Sequence, residues 1–356
     1  MSLAEAVEAV TKHLPEELAS AESITRIVEV AGCFPDALSH HFGFECKLGP
    51  QAEGAVFILK IPPHPGREII SGTHKNIKLP QKVLSDSAWQ RVREFSLRWA
   101  DEGSALHRNV QSTWLEFDAN SRCDEATLHK VFFFLEEYSN REKTDQSGLD
   151  YKWVSSTAIR LLRGEPLAAN VTSNLARCFN EASGRAQVLQ VGLNPSQIDV
   201  IKLGLYPYSK DQFLKYLEAI GWAGPAGELE AIVEPLYRFY DEGQVCLSID
   251  VGEVVHTKVG IEFYFNGLSQ SERQRAWPKL LGELVEKGLC AADKRDALLR
   301  FPGYSIEDFL YRRVFFRGLH HIKVVYQPGL PPQAKAYIGA TIKPLSAVTS
   351  LSEESV

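Results

Sequence analysis

Lysine, tyrosine, histidine and glutamate recur at alternate positions in three stretches of this chain. Within Val245–Phe265, which reads as two antiparallel strands, the second strand puts His256, Lys258, Gly260, Glu262, Tyr264 and Asn266 on one side. Thr257, Val259, Ile261, Phe263 and Phe265 take the other. Near the C-terminus Gln333, Lys335, Tyr337, Gly339, Thr341 and Lys343 alternate with Ala334, Ala336, Ile338, Ala340 and Ile342. Lys202, Gly204 and Tyr206 repeat the arrangement in shorter form. Side chains alternate across a strand, so each stretch has one apolar and one densely polar face. Ammonium groups on such a face can hold an anion, tyrosine rings offer π faces to a cation, and Glu262 can take a proton. The competing reading is a solvated sheet face from which the lysines snorkel.

Other chemistries lack their residues. His40-His41 and His320-His321 are adjacent pairs, and neighbours on a strand point to opposite faces, so neither pair is expected to chelate one ion. His321 and Lys323 share a side and are candidates for the polar lining. There is no HExxH or HxH, no phosphate-binding GxxxxGK[ST], no GxGxxG after a strand and no GxSxG. No metal site is expected. Cys33, Cys46, Cys123, Cys178, Cys246 and Cys290 lie far apart without a CxxC, which reads as buried reduced thiols in a cytoplasmic protein. Cys178 shares a helical stripe with Val171 and Leu175.

The chain has 356 residues, 44% apolar and 24% charged, enough for one large core or two domains. It contains no run of about 18 apolar residues that would span a membrane, and the first 18 residues do not read as a signal peptide. The net charge of −6 and pI near 6.0 leave no global basic footprint for nucleic acid, although a basic lining could sit inside an acidic shell.

The elements that must position these residues follow a repeating order. Helical spacing marks 3–13 and 20–31, followed by extended segments at Gly43–Leu48 and Ala55–Ile61. A loop rich in Pro, Gly and His runs over 62–82. A helix over Ser85–Glu102 carries Trp89, Val92, Phe95 and Trp99 on one stripe. Strands are expected at Val110–Asp118 and Thr127–Glu137, then a polar loop over Tyr138–Asp150. Helices at 152–163 and 171–182 precede strands at Gln187–Gly192 and Gln197–Tyr206. Ser209-Lys210-Asp211-Gln212 opens the next helix as a capping box, and another spans 228–241 before the 245–265 hairpin. Helices at 271–287, 292–300 and 306–312 lead to strands at Val314–Tyr326 and Gln333–Ile342. The tail 344–356 is expected to be disordered, leaving 1–343 as a single domain.

This amounts to an α+β chain of five α-α-β-β repeats with about ten strands. Closing an antiparallel sheet removes its edges. The apolar strand faces would then lie outside, under amphipathic helices, and the polar faces inside. Ten strands leave a lumen, whereas about eight are filled by side chains. The alternative is an open α+β sandwich whose polar face is simply wet.

In this repeat order and in Gln333-Ala334-Lys335-Ala336-Tyr337, a K-x-Y pattern on a strand, the chain resembles the ABBA-type (PT-barrel) aromatic prenyltransferases. Lys202 with Tyr206 and Lys258 with Tyr264 are looser versions, at spacings of four and six. The resemblance implies a ten-stranded barrel with helices outside and prenyl transfer from an allyl diphosphate. It implies diphosphate binding by Lys202, Lys258, Gln333 and Lys335, and cation shielding by Trp114, Tyr206, Tyr264 and Tyr337. Glu116 or Glu262 would collect the proton. The chain lacks DDxxD, the usual Mg²⁺–diphosphate grip, so no cofactor is expected and Mg²⁺ is not required. The arginine that such enzymes carry in an early repeat has no obvious match, and Lys60 and Arg67 are the only candidates nearby. The acceptor would be an aromatic small molecule or a peptide, in natural-product biosynthesis. The alternative function is a non-catalytic peptide-binding accessory protein of a ribosomal peptide natural-product pathway, using strand addition. Convergence of Lys202, Lys258 and Lys335 on one cavity favours the enzyme, and scattered lysines favour the binding protein.

Overall fold

The structure is a computed structural model. It describes residues 2–50, 54–118, 127–135, 151–183, 185–195, 197–207, 210–239, 244–265, 268–308 and 312–347. Cys123, the Tyr138–Asp150 loop, Ser209 of the expected capping box, Asn266 and residues 348–356 of the tail lie outside that set.

Eleven strands form one antiparallel sheet: β1 (His41–Lys47), β2 (Ala55–Ile61), β3 (Val110–Asp118), β4 (Lys130–Leu135), β5 (Ala186–Asn194), β6 (Gln197–Pro207), β7 (Gln244–Val251), β8 (Val255–Tyr264), β9 (Gly303–Asp308), β10 (Arg312–Tyr326) and β11 (Gln333–Pro344). β1 to β8 pair in chain order, β8 pairs with β10, β10 with β11, and β11 returns to β1. Ten strands therefore close into a barrel, and the open sandwich is excluded. β9 lies outside the ring and pairs with the first half of β10.

Closure depends on a close approach. Gly43 of β1 faces Gly339 of β11, and a Cβ on either would come within 2.6 Å of a backbone oxygen of the other strand. Only glycine lets the seam meet at this point. The helices lie over the apolar strand faces. Val259, Ile261 and Phe263 of β8 are buried beneath them, and so are Ala334, Ala336 and Ile338 of β11. The helix Ser87–Ala100 is capped by Asp86, whose Oδ1 accepts from Ala88 N at 2.8 Å and Trp89 N at 3.0 Å. It buries Trp89, Val92, Phe95 and Trp99, the stripe that its spacing predicts. Ser269 and Glu272 form a full capping box at the start of Gln270–Glu286. The helix expected at 171–182 runs Ala169–Ala182 and buries Val171, Leu175 and Cys178 together.

Three expectations fail. In the segment expected as a helix over 306–312, residues 309–311 lie outside the described set, Arg312 opens β10, and 306–308 belong to β9, drawn into strand by pairing Tyr304, Ser305 and Ile306 against Phe316, Phe315 and Val314. The 62–82 loop contains two short helices, Gly66–Ser71 and Gln81–Leu84. At the C-terminus Pro344 still belongs to β11, and 345–347 form a helical turn.

Candidate active site

The polar strand faces line the barrel, and they divide it into two ends. The hairpin turns β1–β2, β3–β4, β5–β6, β7–β8 and β10–β11 mark one end. The connections that carry helices mark the other.

Toward the hairpin end the lumen is an ionic floor. Lys335 Nζ donates to Glu45 at 2.6 Å, Lys130 Nζ to Glu116 at 2.7 Å, and Lys323 Nζ to Glu262 at 2.8 Å and Ser248 Oγ at 3.0 Å. Lys202 Nζ pairs with Asp250. The Tyr264 hydroxyl donates to Glu262 at 2.7 Å, and that of Tyr337 to Glu45. Gly260 makes room for Lys323, whose Cε would lie 2.3 Å from a Cβ there. Lys258 is exposed at the rim and has no carboxylate partner among the described residues.

These pairs set the protonation states. Burial alone would raise the Glu45 carboxyl, but Lys335, Lys130 and the hydrogen bonds from Lys335 and Tyr337 outweigh it and hold it at about 2. Burial likewise opposes ionisation of Glu262, and Lys323, His321 and the bonds from Lys323 and Tyr264 bring it to about 2. Lys202 goes the other way. Burial pushes its ammonium down to about 8, with Lys323 and Lys258 adding to the push, although Asp250 resists.

Toward the helical end the floor opens into a cavity of about 310 Å³. Lys202, Lys323, Glu116, Glu262 and Tyr337 reach it from below. Its walls are Trp114, Phe132, Phe134, Leu135, Leu189 and Ile58, with Gln111, Ser112 and Gln190 as neutral polar groups. Near the mouth stand His41, Lys60 and His320. Lys60 Nζ lies 5.6 Å from the Trp114 ring centroid. Burial lowers its pKa, and no carboxylate pairs with it among the described residues. His41 Nδ1 meets Thr341 Oγ1 at 2.9 Å, and its ring packs edge-on to Trp114 at 5.3 Å. Burial, then Lys60 and His320, push its imidazole down to about 4.

The adjacent histidines overturn an expectation. A β-bulge between Leu319 and His321 breaks the alternation of β10, so both rings reach the lumen side. Their Nδ1 atoms are 2.8 Å apart. The other pair behaves as alternation predicts, with His41 inside and His40 outside beside Arg312 and Arg313.

The remaining predicted residues scatter along this axis. Trp114, Glu116, Lys202, Glu262, Tyr264 and Tyr337 line the cavity. Lys335 belongs to the floor beneath it, and Lys258 and Gln333 are exposed at the hairpin end. Tyr206 lies half-buried opposite Gln187, away from the cavity lining. Lys202, Lys258 and Lys335 thus do not meet in one cavity. Of the two early-repeat cations, Lys60 faces the cavity. Arg67 is buried outside the barrel, 3.0 Å from His64 and 3.1 Å from Glu68. Sequence reasoning passed over Glu45, Lys130 and Asp250 as site residues and took Lys323 only as a candidate for the polar lining. The signal for Glu45 and Asp250 was their place in His41-x-Gly43-x-Glu45 and Cys246-x-Ser248-x-Asp250, alternations like those of β8 and β11. Among the described residues no group of three or more His, Cys, Asp or Glu side chains could hold a metal ion, and no helix is long and apolar enough to cross a membrane.

No protein-family model matches the chain, and no curated protein matches it in sequence. Solved structures do match. AnaPT from Neosartorya fischeri is 13% identical, with 93% of this chain and 91% of that one covered and a TM-score of 0.53. The 6-dimethylallyltryptophan synthase from Micromonospora olivasterospora, solved in complex with DMASPP and Trp, is 13% identical over 95% and 97%, with a TM-score of 0.53. The 5-dimethylallyltryptophan synthase from Streptomyces coelicolor is 11% identical over 95% and 97%, with a TM-score of 0.51. At this identity the match establishes architecture across nearly the full chain: the barrel is a PT barrel of the ABBA type.

Proposed function

We propose that the barrel transfers a prenyl group from an allyl diphosphate to an aromatic acceptor. The observation that carries this reading is the cavity itself, with Lys202 and Lys323 at its floor beneath the rings of Trp114, Phe132, Phe134, Tyr264 and Tyr337. Lys202 and Lys323 would receive the diphosphate, with Lys258, Lys335 and Lys130 strengthening the field from below. Stabilising the leaving group there lowers the barrier to C–O cleavage. Lysines supply the positive charge that Mg²⁺ supplies elsewhere, so the reaction proceeds without metal. The allyl cation forms among Trp114, Phe132, Phe134, Tyr264 and Tyr337, whose rings offer π faces and exclude water. The acceptor enters from the helical end.

Titration calorimetry with a non-hydrolysable dimethylallyl diphosphate analogue in EDTA tests this. The expected result is micromolar binding that Lys202→Ala weakens at least tenfold. No binding at millimolar analogue rules the reading out.

A second reading, peptide binding without chemistry, has one observation in its favour. Among the described residues β9 pairs with β10 alone, and the β9–β10 hairpin exposes Tyr304 (68%), Ile306 (43%) and Phe316 (38%). An unpaired edge with apolar side chains suits strand addition. Peptide panning on the protein, with selected peptides competed by Ile306→Asp, separates the two.

A further inference from the structure

We propose that His320 and His321 act as a dyad that takes the proton from the prenylated acceptor, with His320 the catalytic base and His321 its positioning residue. This rests on the prenyl-transfer reading and replaces Glu116 and Glu262 in the proton-accepting role.

Prenyl transfer to an aromatic ring leaves a cation that must lose a proton, so the cavity needs a base that is free. The two carboxylates at its edge are not free. Glu116 accepts from Lys130 at 2.7 Å. Glu262 accepts from Lys323 at 2.8 Å and from the Tyr264 hydroxyl at 2.7 Å, and is only 4% exposed. Held this way, Glu262 is a weak base. The histidines have the opposite character. Burial disfavours the charged form of both rings, so each is neutral near pH 7 and has a lone pair to offer.

The geometry assigns the tautomers. The Nδ1–Nδ1 contact of 2.8 Å requires a hydrogen on one nitrogen and none on the other. His321 Nε2 faces the Glu262 carboxylate at 3.9 Å, which favours the hydrogen on that nitrogen. His321 Nδ1 is then bare and accepts from His320 Nδ1–H. The remaining nitrogen, His320 Nε2, keeps its lone pair, on a ring that lines the cavity. His321 cannot turn out of this contact easily. Its ring is stacked between Tyr264 at 4.5 Å and Tyr337 at 4.0 Å, and both hydroxyls are tied to carboxylates.

The step balances without a further reactant. The allylic C–O bond breaks and its electron pair leaves with the diphosphate. A π pair of the acceptor forms the bond to the allyl carbon. The ring proton moves to His320 Nε2, and the C–H pair restores aromaticity. The added positive charge is shared through the Nδ1 contact and balanced by Glu262. His320 has an exposed edge at the mouth, from which the proton returns to solvent.

The test is product formation and diphosphate release with dimethylallyl diphosphate and a panel of tryptophan, tyrosine and a naphthol, in wild type, His320→Ala and His321→Phe. His320→Ala should still release diphosphate, with water capturing the cation, while prenylated product falls about 10²- to 10³-fold. A primary isotope effect from ring-deuterated acceptor should appear only in this variant, and added imidazole should restore part of the rate. His321→Phe keeps the aromatic stack and should lose product less severely. Product within a few-fold of wild type in His320→Ala, with no isotope effect, overturns the dyad and leaves prenyl transfer standing. A folded wild type that prenylates no acceptor and releases no diphosphate overturns both.

Discussion

The two ends of the lumen solve opposite electrostatic problems. At the floor, Lys130, Lys202, Lys258, Lys323 and Lys335 meet Glu45, Glu116, Asp250 and Glu262. Each carboxylate is bonded to a lysine, and the lysines exceed the carboxylates by one. At the mouth, Lys60 stands with neutral His41 and His320 among Trp114, Phe132 and Phe134. Pairing with lysine outweighs burial at the floor carboxylates Glu45 and Glu262, and desolvation disfavours the charged imidazoles of His41 and His320 at the mouth. In the proposed reaction a leaving diphosphate would use the first environment and a departing proton the second. The net charge of −6 on the whole chain concealed a positively biased interior.

The largest effect should come from unpairing the floor. Lys323→Met leaves Glu262 buried without its cation, which costs about 3–5 kcal/mol when one partner of a buried pair is lost. Lys60→Met at the mouth strands no carboxylate and should leave stability within about 0.5 kcal/mol of wild type. Urea unfolding of the two variants measures both. Equal losses would mean that the floor is not the paired lattice described here.

Acid should reach the mouth before the floor. Glu45 and Glu262 sit at about 2 in the folded barrel against 4.5 unfolded, so the folded state holds fewer protons between those values. Their contribution is complete above pH 4.5 and is lost as pH falls through 2, on the order of 3 kcal/mol for each group. His41 titrates at about 4 against 6.5, and its penalty for staying neutral also grows as pH falls below 6.5. Unfolding free energy measured from pH 7 to 3 should therefore decline in two stages. His41→Gln should shrink the shallower stage, which starts near pH 6.5 and which His320 and His321 share, and leave the steeper one below 4.5.

How much of this was legible follows from where each signal lies. β8 and β11 alternate cleanly, so their inward residues, including Lys335, Tyr337, Glu262 and Tyr264, could be read off directly. Barrel closure was inferable because ten such strands need their edges covered. β9 was not, since Ser305-Ile306-Glu307-Asp308 becomes strand only by pairing with the overhang of β10. The ion pairs were equally hidden: Lys335 and Glu45 are 290 residues apart, and Lys323 and Glu262 are 61 apart. Nothing in Gly318-Leu319-His320-His321 announces a bulge. Strand alternation, the rule that located most of the lining, is the rule that set the two histidines on opposite faces.

A subtler contrast concerns how ligand affinity responds to pH. Diphosphate bound at the floor would stabilise the Lys202 ammonium and raise its pKa above about 8. Below pH 8 the lysine is already charged, so affinity for a non-hydrolysable analogue should be flat through neutrality. Above pH 8 binding must take up a proton, and affinity should fall by up to about tenfold per pH unit, or ~1.4 kcal/mol. Lys202→Arg keeps the charge at every pH and should remove the decline, whereas Lys60→Met should retain it. If Lys60→Met abolishes the pH dependence instead, the diphosphate sits at the mouth, and donor and acceptor exchange ends within the barrel.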